Sequence, residues 1–414
     1  PEDLADQFCR VEAVPYDTVL PLLEKIKDWE TPAEYLDHLD ALPLGPNVTA
    51  MFGHSAVRSA VMGLGRSVDE DARRAGADHV RPRGPIQHVE DAWPTTRELD
   101  EMTNQLHGAL DAGYLGMSFN TLPWDKLDGD RYRSKSTPSV YAKWKEYRHF
   151  AKVLRAREAV MQMVPDLAGR WNIPLIGVMS TVVGRKSLKM MVISMVDSVA
   201  MRGTHRIAGA MTSFLNDRLK AEMRWQSLPL PFELWVDGME VPVMEELGAG
   251  TQALHETDLE TRRALLADPA WREMFKKQWT NPLSPKAWHR DLDEPKIIDC
   301  PDPSLIGRSF ASVAAERGIE PLDCFLDLQT EFGNDLRWYT VVGNDRLKEL
   351  EYVVTHPTVL IGFSDAGAHL RNMAYYDFPL HLLRLVVNAE AEGRTLMTRE
   401  QAVHRVTGEI ADYL

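Results

Sequence analysis

The most constraining feature of this chain is a repeated alternation. Short apolar runs, the first leading into Gly53-His54-Ser55 and the last into Ser364-Asp365, are separated by amphipathic stretches with a spacing of three or four residues. Runs of this kind fall at 48–53 (VTAMFG), 114–119 (YLGMSF), 159–164 (AVMQMV), 174–180 (PLIGVMS), 189–195 (KMMVISM), 232–236 (FELWV) and 358–363 (TVLIGF), and each is read as a strand. Between them the pattern predicts helices, first from Thr31-Pro32 with Tyr35, Leu36, Leu39 and Leu42 on one face, stopped by Pro43 and Gly45. A second starts at the T-x-x-E capping box Thr95/Glu98, carries Leu99, Met102, Leu106 and Leu110, and ends at Gly113. Further helices are predicted over 140–157, 345–356, 378–392 and 398–413. Parallel strands need crossover connections, usually helical, so the alternation predicts an α/β fold on a parallel sheet. Strands apolar on both faces suit a closed barrel better than an open sheet, and chemistry then belongs just past the C-terminal ends of the strands. The charged segment 64–92 reads as a surface excursion, and 255–299, rich in Trp, Pro and charge, as an insertion or long loop region.

Charge and composition narrow the partners. With 47 Lys+Arg against 61 Asp+Glu, the net charge is -14, which argues against nucleic acid, because neutralising phosphates takes clustered cations. No apolar run approaches the ~18–20 residues of a membrane span. Cys9, Cys300 and Cys324 make no disulfide framework or C-x-x-C pair, and the start PEDLADQF has no basic or apolar leader pattern; together they predict a cytoplasmic protein. Asn47-Val48-Thr49 fits a glycosylation sequon but reads as an ordinary polar loop.

Two places carry possible chemistry, and weaker signals stand beside them. In Gly362–His369 (GFSDAGAH), Asp365 follows an apolar run and is flanked by small residues, which allow close approach. It is read as a metal ligand or proton carrier at a strand end, against the alternative of a helix cap, and His369 as a substrate-binding or loop-stabilising group. The same segment nearly matches G-x-S-x-G, so Ser364 with Asp377 and His404 is the serine-hydrolase alternative. After the first strand, His54 and Arg58 are candidates to position substrate, with Arg58 suited to a carboxylate, against a structural His and a surface Arg. Weaker signals are G-x-G-x-x-A at Gly248, Gly250 and Ala253, read as a loop, and Glu245/Glu246, read as a solvated charge pair. Lys143, Lys145, Arg148, Lys152, Arg155 and Arg157 read as the wet face of a helix, and Trp288-His289-Arg290 as structural.

The stretches FGHSAVRSAVMG (52–63), GALDAGYLGMSF (108–119), IGFSDAGAHLRNMAYYDFPLHLLR (361–384) and AVHRVTGEIADYL (402–414) resemble the N-acyl-D-amino-acid deacylases (D-aminoacylases) of the amidohydrolase superfamily. The resemblance implies a distorted TIM-type (β/α)8 barrel, incomplete at the termini and spanning 1–414, with a small β-sandwich from both ends. It implies a hydrolase cleaving the amide of an N-acyl amino acid, with one or two zinc ions. Asp365 would bind metal and carry the proton of the metal-bound water, and His54, Arg58, His369 and Arg371 would contact substrate, an Arg holding its carboxylate. A zinc ion lowers the pKa of bound water to about 7 and polarises the carbonyl. The sequence departs from the family pattern in three ways. The H-x-H and the Gly-Asn-Cys-Gly cysteine do not occur in it, Met195 stands where a ligand His is expected, and His205 is only a candidate for the next ligand. A catalytically inactive binding protein or subunit, paired with a copy of itself or a companion chain, is therefore the competing expectation.

Overall fold

The computed structural model describes residues 1–68, 93–166, 172–181, 186–282, 284, 286–365, 367–373 and 375–414. Most of the segment 64–92 thus lies outside the described residues.

Six strands form one parallel sheet: β1 (Met51–Gly53), β2 (Gly116–Asn120), β3 (Val160–Val164), β4 (Lys189–Ile193), β5 (Glu222–Ser227) and β9 (Val359–Ile361). Their order is β1-β2-β3-β4-β5-β9, and every adjacent pair is parallel, with Met117 beside Met161, Met190 beside Met223 and Ser227 beside Ile361. Neighbours in sequence are neighbours in space, as the strand–helix alternation requires. The α/β expectation holds, with β1 and β9 as the two edges among the described residues.

The local reasons are largely those the sequence offered. Thr95 and Glu98 form the reciprocal capping box of helix Thr96–Ala112, and Gly113 ends it in a left-handed conformation. Thr31 and Glu34 do the same for helix Pro32–Asp40. Helix Trp144–Ala156 buries Tyr147, Phe150 and Leu154 against the sheet and leaves Lys145, Arg148, Lys152 and Arg157 exposed; Arg155 is the exception, buried with its guanidinium on the carbonyls of Ala151 and Met179.

Two strand assignments are corrected. Residues 174–180 lie in helix Asn172–Ser180, the crossover between β3 and β4. The run is apolar all round, so periodicity could not separate helix from strand. Residues 232–236 do form a strand, β6 (Phe232–Asp237), but it joins a second, antiparallel sheet with β7 (Lys296–Asp299) and β8 (Arg337–Gly343), in the order β6-β8-β7. The last helical stretch is interrupted near Val406–Thr407, giving Arg399–Arg405 and Gly408–Tyr413.

Two hydrophobic cores follow from the two sheets. One packs helices on the parallel sheet through Leu106, Met117, Phe150, Met190, Met223 and Ile361. The other gathers Trp271, Phe275, Trp279, Trp288, Phe310, Phe325 and Trp338 around the antiparallel sheet. The stretch 255–299 supplies this second core with helices Leu259–Ala267 and Pro269–Trp279 and strand β7. At the N-terminal ends of the parallel strands, Tyr413 and Leu414 pack on Met51, Val160, Met191 and Leu360. The polar face is at the opposite end.

Candidate active site

β9 stops at Ile361 and the chain turns over the C-terminal ends of the parallel strands through Gly362–His369. Three described non-glycine residues of this turn have positive φ: Phe363 at 78°, Asp365 at 46° and His369 at 47°. Such a conformation is costly for L-residues other than Asn or Asp, and it clusters where side chains are held for function.

Asp365 is half-buried, and burial pushes its carboxyl up to about 6. The partner that sequence reasoning missed is Glu12, from the irregular link between helices Glu2–Phe8 and Tyr16–Ile26. His369 Nε2 stands 3.3 Å from Glu12 Oε2. Burial, and then the charges of Asp365 and Asp125, push Glu12 up to about 8. Burial pushes His369 down to about 4, against a hydrogen bond to the Glu12 backbone that works the other way. Near neutral pH, therefore, the close His369–Glu12 contact joins a protonated carboxyl to a neutral imidazole, because loss of water outweighs mutual attraction of the charged forms. Asp125, beyond the end of β2 and hydrogen-bonded by Asn120, is raised to about 6, chiefly by burial. Inside the sheet, Gln162 of β3 donates to Gln226 of β5 at 3.2 Å. No local pattern marked Glu12 or Asp125; the fold alone brings them to the strand ends.

Beside this cluster lies a cleft of about 580 Å³. The residues flanking Glu12 (Arg10, Ala13 and Val14) line one side, and Arg371 and Asn372 line another. Arg371 is mostly exposed and pairs with Asp237.

The other candidates sit elsewhere. His54 opens helix His54–Met62 right after β1 but is fully buried, its Nδ1 2.9 Å from Ser139 Oγ and its Nε2 2.9 Å from Glu146 Oε1. Arg58, one helical turn on and equally buried, donates to both Glu146 oxygens at 2.9 and 2.7 Å. Burial holds His54 below the usual histidine range. In Glu146 burial acts upward, but Arg58 and His54 together carry it below the carboxylate range. This group ties one helix to another through an internal ion pair.

The serine triad is not assembled: Asp377 Oδ2 is 3.2 Å from His381 Nε2, while His404 is largely exposed with Asp412 at 3.8 Å. Glu245 and Glu246 are not a solvated pair. Glu245 is buried on Arg10, and Glu246 takes Arg290 at 2.7 Å and the amide of Ala287. Gly248–Ala253 lies in helix Gly248–His255, follows a 3-10 turn instead of a strand, and has its Ala249 amide donating to Gln278 at 2.9 Å, so it is no dinucleotide loop. Trp288 is a core side chain whose Nε1 donates to Thr340.

No family model matches the sequence. The chain is 44% identical over 416 residues, along its whole length, to uncharacterized proteins of Mycobacterium bovis and Mycobacterium tuberculosis, and it spans 65% of their length. Among solved structures it is similar to two of D-aminoacylase, one described with a binuclear metal center and one as defining a subset of amidohydrolases. The identities are 18% and 19%, the coverage 92% of this chain and 61% of theirs, and the TM-score 0.46 in both.

The described residues do not fit a zinc site. Among the described residues, no three His, Cys, Asp or Glu side chains converge as a metal requires. At the end of β4 the chain presents buried Met195, and at the end of β5 Ser227, whose Oγ donates to the Met195 carbonyl at 2.6 Å. A hydroxyl–carbonyl bond thus joins the two strand ends where the resemblance implies an imidazole ligand. His205 belongs to the outer helix Thr204–Leu219 and lies 2.8 Å from Glu349 and 3.3 Å from Asp197, so it is no strand-end ligand.

Proposed function

We propose that this protein is a hydrolase of the amidohydrolase type that cleaves the amide bond of a small N-acyl amino acid, using Asp365 and Glu12 as a base–acid pair. One observation carries the reading. Two carboxyl groups are electrostatically coupled beyond the C-terminal ends of parallel strands, the Asp365 charge adding to the burial that raises Glu12, and their surroundings separate their protonation states, Asp365 at about 6 and Glu12 at about 8. Pairs whose pKa values are driven apart on either side of neutrality are how one site holds a general base and a general acid at once.

At neutral pH Asp365 is mostly ionised and Glu12 mostly protonated. Asp365 takes a proton from water as the oxygen attacks the acyl carbon. The C–N bond then breaks, and Glu12 gives its proton to the leaving amine. Transfer of the proton from Asp365 to Glu12 restores the starting state. His369, neutral and against Glu12, holds that carboxyl in place. Arg371, exposed at the cleft wall, is the cation for a substrate carboxylate, in competition with Asp237. His54 and Arg58 act through the folding of the helix behind β1. No step uses zinc.

The test is Asp365→Asn, assayed by amine release from N-acetyl amino acids of both configurations with circular dichroism as a folding control. Turnover is expected to fall by about 10²–10⁴-fold with the fold intact; near-normal turnover overturns the assignment. A catalytically inactive binding protein is the second reading, favoured by Met195 and Ser227 at the strand ends. A folded wild type without turnover on the whole substrate panel supports it. Stoichiometric bound zinc with chelator-sensitive turnover contradicts the metal-free acid–base scheme.

A further inference from the structure

The cleft beside Glu12 has a charge pattern that the proton chemistry does not use. Seven of its lining residues are Asp or Glu and four are Arg, which leaves three carboxylates in excess. Each of the four guanidinium groups is already ion-paired to a carboxylate of the same cleft, Arg10 to Glu245 and Arg371 to Asp237 among them. An incoming anion would have to displace one of these partners, whereas an incoming cation would not.

A second, independent feature is at the cleft wall. Glu245 is 6% exposed, and while its Oε1 receives Arg10 Nε at 2.5 Å, its buried Oε2 has no hydrogen-bond donor among the described residues. A buried carboxylate oxygen without a protein donor is costly to leave unpaired, and a cationic N–H group satisfies it. Glu245 is also charge-coupled to Asp125, and Asp125 to Glu12, which in turn is charge-coupled to Asp365. Carboxylates therefore run from the acid–base pair into the cleft. Among the described residues no three acidic, imidazole or thiol groups are close enough to hold a metal ion.

We propose that the cleft seats a positively charged side chain of the substrate, a guanidinium or alkylammonium group, with Glu245 Oε2 as its acceptor. The substrate is then an N-acylated basic amino acid. The inference rests on the hydrolase reading for the word substrate, but the cleft's preference for cations is measurable without turnover.

The experiment is calorimetric titration of the intact protein, at low ionic strength, with Nα-acetylarginine and with its uncharged isostere Nα-acetylcitrulline, each as both enantiomers. The expected result is at least about tenfold tighter binding of one acetylarginine enantiomer, with that ratio falling toward one in Glu245→Gln. Equal affinity for the charged and uncharged compounds, or no binding of either, overturns the inference. Should Glu245→Gln fail to fold, competition of acetylarginine by ethylguanidinium on the wild type replaces it; absence of competition counts against the cleft. Hydrolysis of the same compounds, measured in parallel, separates the two ideas. Selective binding without turnover sinks the hydrolase reading and leaves the cation site, while turnover with equal kcat/KM for both compounds does the reverse.

Discussion

Two carboxyl groups show how burial, more than direct pairing, sets the chemistry of single residues here. Glu12 rises from 4.5 to about 8, and Asp365 from 3.8 to about 6. A carboxyl raised on folding binds more protons in the native than in the unfolded state between its two pKa values, so stability falls as pH rises through that window. For Glu12 the window is about 4.5 to 8, and Glu12→Gln is expected to remove it. The variant's Tm should exceed that of the wild type at pH 8 and match it near pH 4, as read by thermal melts across that range. His369 has the opposite history. Its pKa falls from 6.5 to about 4, so its contribution is lost as pH drops below 6.5, because the unfolded state then takes up the proton. The buried Arg58–Glu146 pair gives a separate expectation. Arg58→Met strands a carboxylate that is 5% exposed and should cost about 3–5 kcal/mol in urea unfolding. A cost near zero would show that water reaches Glu146.

At the scale of the element, termini and spacing explain most of what forms. The capping box of helix Thr96–Ala112 satisfies two of its free amides, so Thr95→Ala should destabilise by about 1 kcal/mol. Gly116 in β2 is a tighter constraint. A Cβ there would lie 1.8 Å from the Val160 carbonyl oxygen, so Gly116→Ala should disrupt the β2–β3 pairing, costing about 3 kcal/mol or more and reducing soluble yield. These elements were legible because a cap, a period and a terminating glycine are local. Asn172–Ser180 was not legible as a helix, since a run apolar on every side carries no period. The partners of β6 were not legible either, because strand pairing is decided by residues a hundred positions away, such as Trp338 beside Val236. For the site, Asp365 could be found from the strand that precedes it. Glu12 could not, since it lies in an irregular link and gains its meaning only when the fold carries it to His369.

Across the whole molecule, the N-terminal link bears on both sheets. Arg10 binds Glu245, in the segment between β6 and the helices of the second core, and Glu12 meets the turn after β9. Where the two sheets adjoin, Val199 donates to the Val342 carbonyl at 2.9 Å, and Asp197 is held by Arg346 at 2.7 Å and by the Asn344 side chain at 2.9 Å. The proposed acid–base pair thus comes from two distant parts of the chain and depends on that closure. The most direct test of the central claim is the pH dependence of kcat/KM for N-acyl amino acid hydrolysis, in the wild type and in Glu12→Gln. The wild type should give a bell with limbs near 6 and 8, and Glu12→Gln should lose most of its rate together with the upper limb. A profile that keeps its upper limb and its height in Glu12→Gln would contradict the account.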